Sequence, residues 1–486
     1  MQFATKAAGL LNLRLWSLML GVSLAGLFAF SGPAWCAGGS DGLDGALPDP
    51  NIEIAIVGGG PAGLVAADKL KSKGYKNVTI LEADAKVGGK VLSHEHGGKV
   101  YELGAVVSSP DYDRDFAIAK EVGVELMDTL PRMEIRPGGA QVDYWQRVKD
   151  SGGMLKIGWS FNTFRKFIIA NPQVFEPGFA KLPTELLNTY ETAAKVLGFA
   201  AISDLYRPPM VGCGYGYLES MPAPYIIKLM KTFAHDNFRY TLNPLNRTDF
   251  FRQFKGGWQN LWQRFAQARG FNILTNAPVR RMTRTMGPTG KPSALVTYGA
   301  TQGEIKTKRF DRVIVTVPHL IDRMMELNAE EEEVFSHVET IPYKVTLLEI
   351  DNLPRGHHLW IREHATRTDS EGLPNDGKVV LLSNPYAENN LYIAYQFTER
   401  DKTSEQLRKI LLANATQAGG APGKILVERT FDYFPHFSVE GFRAGAHTRF
   451  EALQGQGGIY YTGALANFET VKFAGDHAAF LVDKYF

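Results

Sequence analysis

The stretch IEIAIVGGGPAGLVAADKL, residues 52–70, decides the fold. Its first six residues, IEIAIV (52–57), form a nearly continuous apolar run that suits a strand buried on both faces. Three glycines follow, Gly58, Gly60 and Gly63, in G-x-G-x-x-G spacing. The first permits a tight turn, the second lets backbone approach a pyrophosphate, and the third lets a helix close onto the strand. Pro61 and Ala62 open that helix, where a first turn has no use for the missing proline N–H. The helix N-terminus offers free N–H groups and the positive end of a dipole to an anion. Gly74 closes the helix, and VTILE (78–82) reads as the next strand. Glu82 ends it 19 residues past Gly63, where a carboxylate accepts both ribose hydroxyls. Glycines alone fit many ordinary loops. Strand, glycines, helix, strand and acid in register predict a dinucleotide-binding βαβ unit.

Beyond Glu82 runs ADAKVGGKVLS, with Ala83 and then Gly88, Gly89 and Lys90, followed by YELGAVV with Gly104 and Ala105. Taken alone, VGGK is a plain tight turn. An acid after the second strand followed by a Gly-Gly-basic turn resembles the flavin-containing amine oxidoreductase superfamily, which implies FAD rather than NAD as cofactor. There the second turn lies over the diphosphate and flavin side of FAD. Later segments extend the resemblance. NAPVRRM (276–282) reads as a short strand whose Val279 meets the adenine through its backbone, and FDRVIVTVPHL (310–320) as a lone buried strand holding Thr316 and ending at Pro318. Residues 457–486 read as strand, loop and amphipathic helix.

The resemblance implies an α/β fold: a discontinuous Rossmann-type FAD-binding domain with an inserted α+β substrate domain and helical cap. The cofactor domain is expected from residues 51–110, 256–320 and 446–486, the substrate and cap region from 111–255, and the rest of the substrate sheet from 321–445. One place departs from the superfamily. Gly463 is followed by Ala464, where an acid usually meets the ribityl chain. The contact is then expected from backbone N–H groups around Thr470 and Val471, at the start of the last helix.

Composition agrees with an enzyme. The 486 residues are 44% hydrophobic and 21% charged, ordinary for a globular chain that splits into two lobes. With 53 basic against 51 acidic residues there is no concentrated positive field, so no nucleic acid partner is expected. The N-terminus is different material. Lys6 and Arg14 precede the apolar run LWSLMLGVSLAGLFAF and then SGPAWCAGG, the order of a secretory signal. We expect residues 1–36 to be a cleaved signal peptide, 37–50 a linker, and the protein to be exported to a periplasm, a secretory lumen or the medium. An uncleaved anchor is the alternative, since the run approaches spanning length. Of the two cysteines, Cys36 leaves with the signal and Cys213 stays, so no internal disulfide is expected.

The insert is rich in helical patterns. PTELLNTYETAAKVLGF (183–199) and APYIIKLMKTFA (223–234) each read as one helix. SFNTFRKFIIANPQVF (160–175) clusters Phe161, Phe164, Phe167 and Phe175, which is read as core packing ahead of a lipid-facing entry surface. Three stretches match something narrower. SDLYRPPMVGCGYGYLESMPAPYIIKLM (203–230), TVPHL (316–320) and FDYFPHFSVEGFRAG (431–445) resemble the polyenoic fatty acid isomerases, and the likeness runs from about residue 51 to the C-terminus.

That resemblance implies an enzyme that shifts double bonds of a free polyunsaturated fatty acid to give conjugated products. A CH₂ between two double bonds can lose hydride because the resulting cation spreads over five carbons. Flavin N5 takes the hydride and returns it to another carbon, so no catalytic side chain is required. The protein holds the chain and excludes water and oxygen. By the same resemblance Arg132, in TLPRMEI, anchors the carboxylate and Phe238 is a gating aromatic; Tyr215, Tyr217 and Trp258 are candidate tunnel walls, and a peripheral membrane contact would serve substrate entry. The rivals are an amine oxidase or polyene desaturase of the same fold, and a non-enzymatic GDI-like binder, against which the intact Glu82 argues. His94-Glu95-His96 and His357-His358 read as surface histidines rather than metal pairs, and no metal is expected. EEEVFSH (331–337) reads as the solvated start of a helix.

Overall fold

Five parallel strands form the central sheet in the computed structural model, which describes residues 49–142, 148–149, 151–234, 251–299, 303–399 and 402–486. They are β1 (Glu53–Val57), β2 (Asn77–Leu81), β3 (Asn272–Leu274), β4 (Arg312–Val315) and β5 (Ile459–Tyr461), in the order β5-β4-β1-β2-β3. Central β1 explains its own sequence. Ile54 and Ile56 pack under one layer of helices while Ala55 and Val57 face the opposite cluster, so both faces demand apolar side chains. The helices over the first face are α1 (Pro61–Ser72) and α2 (Val471–Tyr485), which pack on each other. The cradle-bearing sheet therefore takes strands from both ends of the chain and two places between them.

The buried strand expected over 310–320 is present but shorter, Arg312–Val315, and a separate strand precedes it. Lys306–Phe310 is the edge of a three-stranded antiparallel sheet with Pro292–Tyr298 and Val279–Met286, and the chain then turns at Asp311 into β4. Asp311 makes the corner. Its N–H donates to the Glu53 carbonyl and its carboxylate accepts the Glu53 N–H, both at 2.8 Å, which pins the turn to the start of β1.

A second, six-stranded sheet orders its members as Ala421–Phe437, Val338–Asp351, Leu391–Phe397, Val379–Ser383, His358–Ile361 and Arg132–Ile135. Its pairs are antiparallel except the last, in which Arg132 lies beside His358 in parallel register. Helices Gly153–Ala170, Tyr190–Val196, Ser203–Gly212 and Ala223–Ala234 belong to the insert. Phe161 and Phe164 are buried and Phe167 and Phe175 packed beside them, as core packing requires. The first of these helices ends before Asn171-Pro172, because the residue ahead of a proline is driven from the helical region.

The single helix expected over 183–199 is broken. A short 3₁₀ turn, Thr184–Leu186, precedes Tyr190–Val196, and Thr189 caps the second piece by accepting the Thr192 N–H. The Tyr190 N–H donates to the Met221 carbonyl at 2.8 Å, a distant partner that bends the chain here. The helix at Ala329–Ser336 is not simply a solvated start. Asn328 caps it in a capping box with Glu331, whose carboxylate is buried, accepts the Tyr461 hydroxyl at 2.9 Å and pairs with Arg284. The expected signal segment, nearly all of the linker and Phe238 lie outside the described residues.

Candidate active site

The turn between β1 and α1 is built for close approach. Gly58 has φ +103°, its N–H donates to the Leu81 carbonyl at 2.9 Å, and a Cβ there would collide with the Thr316 hydroxyl. A Cβ on Gly63 would land on the Gly58 carbonyl, which is why the third glycine of the pattern is needed. Gly60 caps α1 with no side chain satisfying the helix N–H groups, and Pro61 is its first residue. Facing this turn is the second one. Gly89 lies 3.4 Å from Gly60 across the gap, measured from where its Cβ would sit, and the Gly88 N–H donates to the Gly59 carbonyl at 3.1 Å. Gly104 backs onto the Lys90 carbonyl and Gly463, at φ +100°, onto the Thr316 carbonyl, with no room for a side chain at either.

Glu82 closes the cradle at the end of β2. One carboxylate oxygen accepts the Gly59 N–H and the other the Asp84 N–H, each at 2.7 Å. Burial pushes its pKa up while those two donors oppose the rise. These groups line one continuous cavity of about 620 Å³, together with Ala62, Ala83, Ala105, Val279, Ala464, Thr470 and Val471.

The same cavity extends between the two sheets, and its walls change character. Lys90 pairs with Glu469 at 2.8 Å and stands 5.4 Å from the centre of the Tyr433 ring. Tyr433 stacks on Tyr343 at 4.8 Å and on Tyr215 at 6.0 Å, and Tyr343 on Tyr395 at 6.1 Å. Burial drives all four phenols well above the ordinary range, and the Cys213 thiol among them up to about 11, so this wall is uncharged at neutral pH. His319 and His358 also line it, and burial lowers both to about 3, helped by the Lys90 and Arg132 charges respectively. Beside Tyr343, whose hydroxyl donates to the Gly212 carbonyl at 2.8 Å, an apolar arm is lined by Met210, Gly212, Trp360 and Leu381, and the cavity lining also includes Leu229, Arg323 and Arg429. Arg132 borders this arm with its guanidinium 4.4 Å from the centre of the Phe251 ring.

Comparison with known proteins matches residues 61–480 to the family model described as flavin containing amine oxidoreductase. The chain belongs to that family. Among its relatives, the polyenoic fatty acid isomerase of Ptilota filicina is 23% identical over 89% of this chain and 95% of its own. The FAD-dependent oxidoreductase dpchF of Colletotrichum higginsianum is 22% identical over 85% and 89%. Of solved structures, a CLA-producing fatty acid isomerase from P. acnes superposes with a TM-score of 0.79 at 24% identity, covering 90% of this chain and 99% of that one. At such identity the superposition establishes the fold.

The cofactor of this flavoprotein is FAD. The cradle fits it: Gly60 and Gly89 face each other across the two turns with no side chain on either, an uncapped helix start stands at the same place, and the buried Glu82 carboxylate is oriented by two backbone donors. The cofactor positions read from sequence all line the cavity except Gly63, which lies directly beneath the turn.

Of the substrate candidates, Arg132 and Tyr215 line the cavity, while Tyr217 and Trp258 do not. In Gly214-Tyr215-Gly216-Tyr217 both glycines are left-handed, φ +83° and +78°, so the two tyrosines part company. Tyr217 packs against Phe397 on the six-stranded sheet with 1% exposure. Trp258 is fully buried against Phe254 and Tyr112 under the α1 layer. His358 is no surface histidine. It is held between the Thr129 and Ser383 hydroxyls at 3.3 and 2.8 Å. Glu469 was not foreseen; an acid directly before the Thr470 helix cap, after Ala464 fails to provide one, is the signal that marks it.

Proposed function

We propose that this FAD enzyme isomerises a free polyunsaturated fatty acid, moving a double bond into conjugation with no net oxidation. The observation that carries the reading is the apolar arm of the cavity beyond the cradle, walled by Met210, Trp360 and Leu381 with Arg132 at its border. Bound FAD supplies a two-electron group able to accept a hydride and give it back. Everything else is positioning. Arg132, whose guanidinium carbon stands 4.4 Å from the centre of the Phe251 ring, would take the carboxylate. The stacked Tyr215, Tyr433, Tyr343 and Tyr395 would set the reacting carbon against the flavin end and keep water from it. Burial keeps their hydroxyls and the Cys213 thiol protonated, and the neighbouring carboxylate, Glu469, is paired with Lys90 at 2.8 Å. In the balanced reaction one C–H bond breaks at a doubly allylic carbon and one C–H bond forms elsewhere on the same chain.

Anaerobic incubation of the FAD-loaded protein with linoleate, followed at the conjugated-diene absorbance, tests this. Conjugation without oxygen is expected. Peroxide formed from an amine in air, with no conjugation across several polyunsaturated acids, would reassign the protein to the oxidases of this fold. Export on residues 1–36 is part of the same proposal, and the N-terminal residue of protein recovered outside the cytoplasm tests it.

A further inference from the structure

Helix Gly153–Ala170 is apolar on two sides. Ile157, Phe161 and Phe164 face inward and are buried. Leu155, Trp159 and Ile169 face outward at 91%, 64% and 67% exposure. With Asn162 and Lys166 they follow the spacing of one helical stripe. Val196, also 67% exposed, ends the neighbouring helix two residues before Gly198, whose Cβ position lies 3.7 Å from the Trp159 ring. One exposed leucine needs no account, but Leu155 and Trp159 exposed one turn apart, with Ile169 farther along the same side, do.

The charges on the helix say what would cover it. Lys156, Arg165 and Lys166 are exposed beside the stripe, and residues 153–170 contain no acid. A second protein surface would have to bury these cations, whereas long basic side chains beside Trp and aliphatic groups suit a lipid headgroup layer. No helix among the described residues is long and apolar enough to cross a membrane, so the geometry is that of lying on one.

We propose that the outer face of helix Gly153–Ala170, with Val196, docks on an anionic lipid surface. Its inner face leads toward the cavity: Phe161 packs edge-on to Tyr206, 6.2 Å away, in the helix Ser203–Gly212 that supplies Met210 and Gly212 to the apolar arm. The docking stands independently of which substrate the arm takes.

The test uses the full chain with FAD and vesicles of phosphatidylglycerol or of phosphatidylcholine, read by co-sedimentation and by amide hydrogen exchange over residues 153–170. Three cations with no ion-pair partner among the described residues predict binding to the anionic vesicles stronger by roughly a hundredfold, weakening with salt. Exchange across the helix should slow on those vesicles alone. L155S/W159S/I169S should lose that protection with an unchanged melting temperature, because the three side chains are exposed. The proposal fails if the triple variant binds as wild type does. It fails equally if the chain sediments while residues 153–170 exchange at their free rate, which would place the contact elsewhere. Slowing that tracks protein concentration without vesicles would assign the face to a second copy, and would also overturn it.

Discussion

Replacing Arg132 separates anchoring from everything else in the active site. The residue lies at the edge of the second sheet, its strand registered on His358–Ile361 and its guanidinium carbon 4.4 Å from the centre of the Phe251 ring. Methionine at this position keeps the strand pairing and most of the contact with Phe251, and removes only the fork. A carboxylate that loses two charge-assisted hydrogen bonds in a poorly hydrated arm loses about 3–4 kcal/mol, or roughly a hundredfold to a thousandfold in kcat/KM. Lysine keeps the charge without the fork and should lose about tenfold. The methyl ester of the same fatty acid supplies the control, since it carries no charge for either residue to meet. On the ester, R132M should act within about threefold of wild type. Initial rates of conjugated-diene formation under argon, on acid and ester in parallel, measure both. Equal losses on acid and ester would refute the anchoring argument and leave Arg132 a structural residue.

Three more outcomes follow from named contacts. In E82Q one backbone donor, Gly59 or Asp84, meets an amide N–H in place of an oxygen, and FAD should bind the apoprotein about tenfold to a hundredfold more weakly; titration by flavin fluorescence reads this, and unchanged affinity would remove Glu82 from the cradle. In G212A the new Cβ strikes the Trp360 ring and sits 3.3 Å from the Leu381 Cβ, so the indole is pushed into the arm. Stability should fall by about 1–3 kcal/mol and KM should rise for long chains, with W360F restoring both; a silent G212A would show the arm is not filled there. Glu102, buried beneath the Ser93 hydroxyl and the Trp258 N–H at 2.7 Å each, has its pKa pushed up to about 7 by burial. The folded chain then keeps a proton that the unfolded chain releases near 4.5, so wild-type stability falls from about pH 4.5 to about 7 and stays lowered above that. E102Q lacks this titration, and its melting temperature should gain on wild type between pH 5 and pH 8, while parallel curves would contradict the assignment.

What could be read in advance divides by the range of the forces involved. The β1 turn, α1 and Glu82 announce themselves because a single local demand, backbone against diphosphate, dictates each residue between 52 and 82. The break before Tyr190 depends on a hydrogen bond to Met221, which no periodicity over 183–199 can report. Tyr215 and Tyr217 look equivalent until the handedness of Gly214 and Gly216 sends one to the cavity and the other to Phe397. His357-His358 carries no sign that the second histidine is enclosed, because its enclosure comes from Thr129 and Ser383 on other segments. Glu469 reaches Lys90 across 379 residues of sequence, and only the folded chain brings the two together.

The order in which the ribosome makes this chain constrains when it becomes a flavoprotein. Gly463, Thr470 and Val471, with the helix that packs on α1, come 381 residues or more after Glu82. The glycine turn and Glu82 are made early, yet Gly463, Ala464, Glu469, Thr470 and Val471, which line the same cavity, are still unsynthesised at residue 458. A chain without β5 and α2 would leave that wall of the cradle open and the edge of β4 without its partner strand.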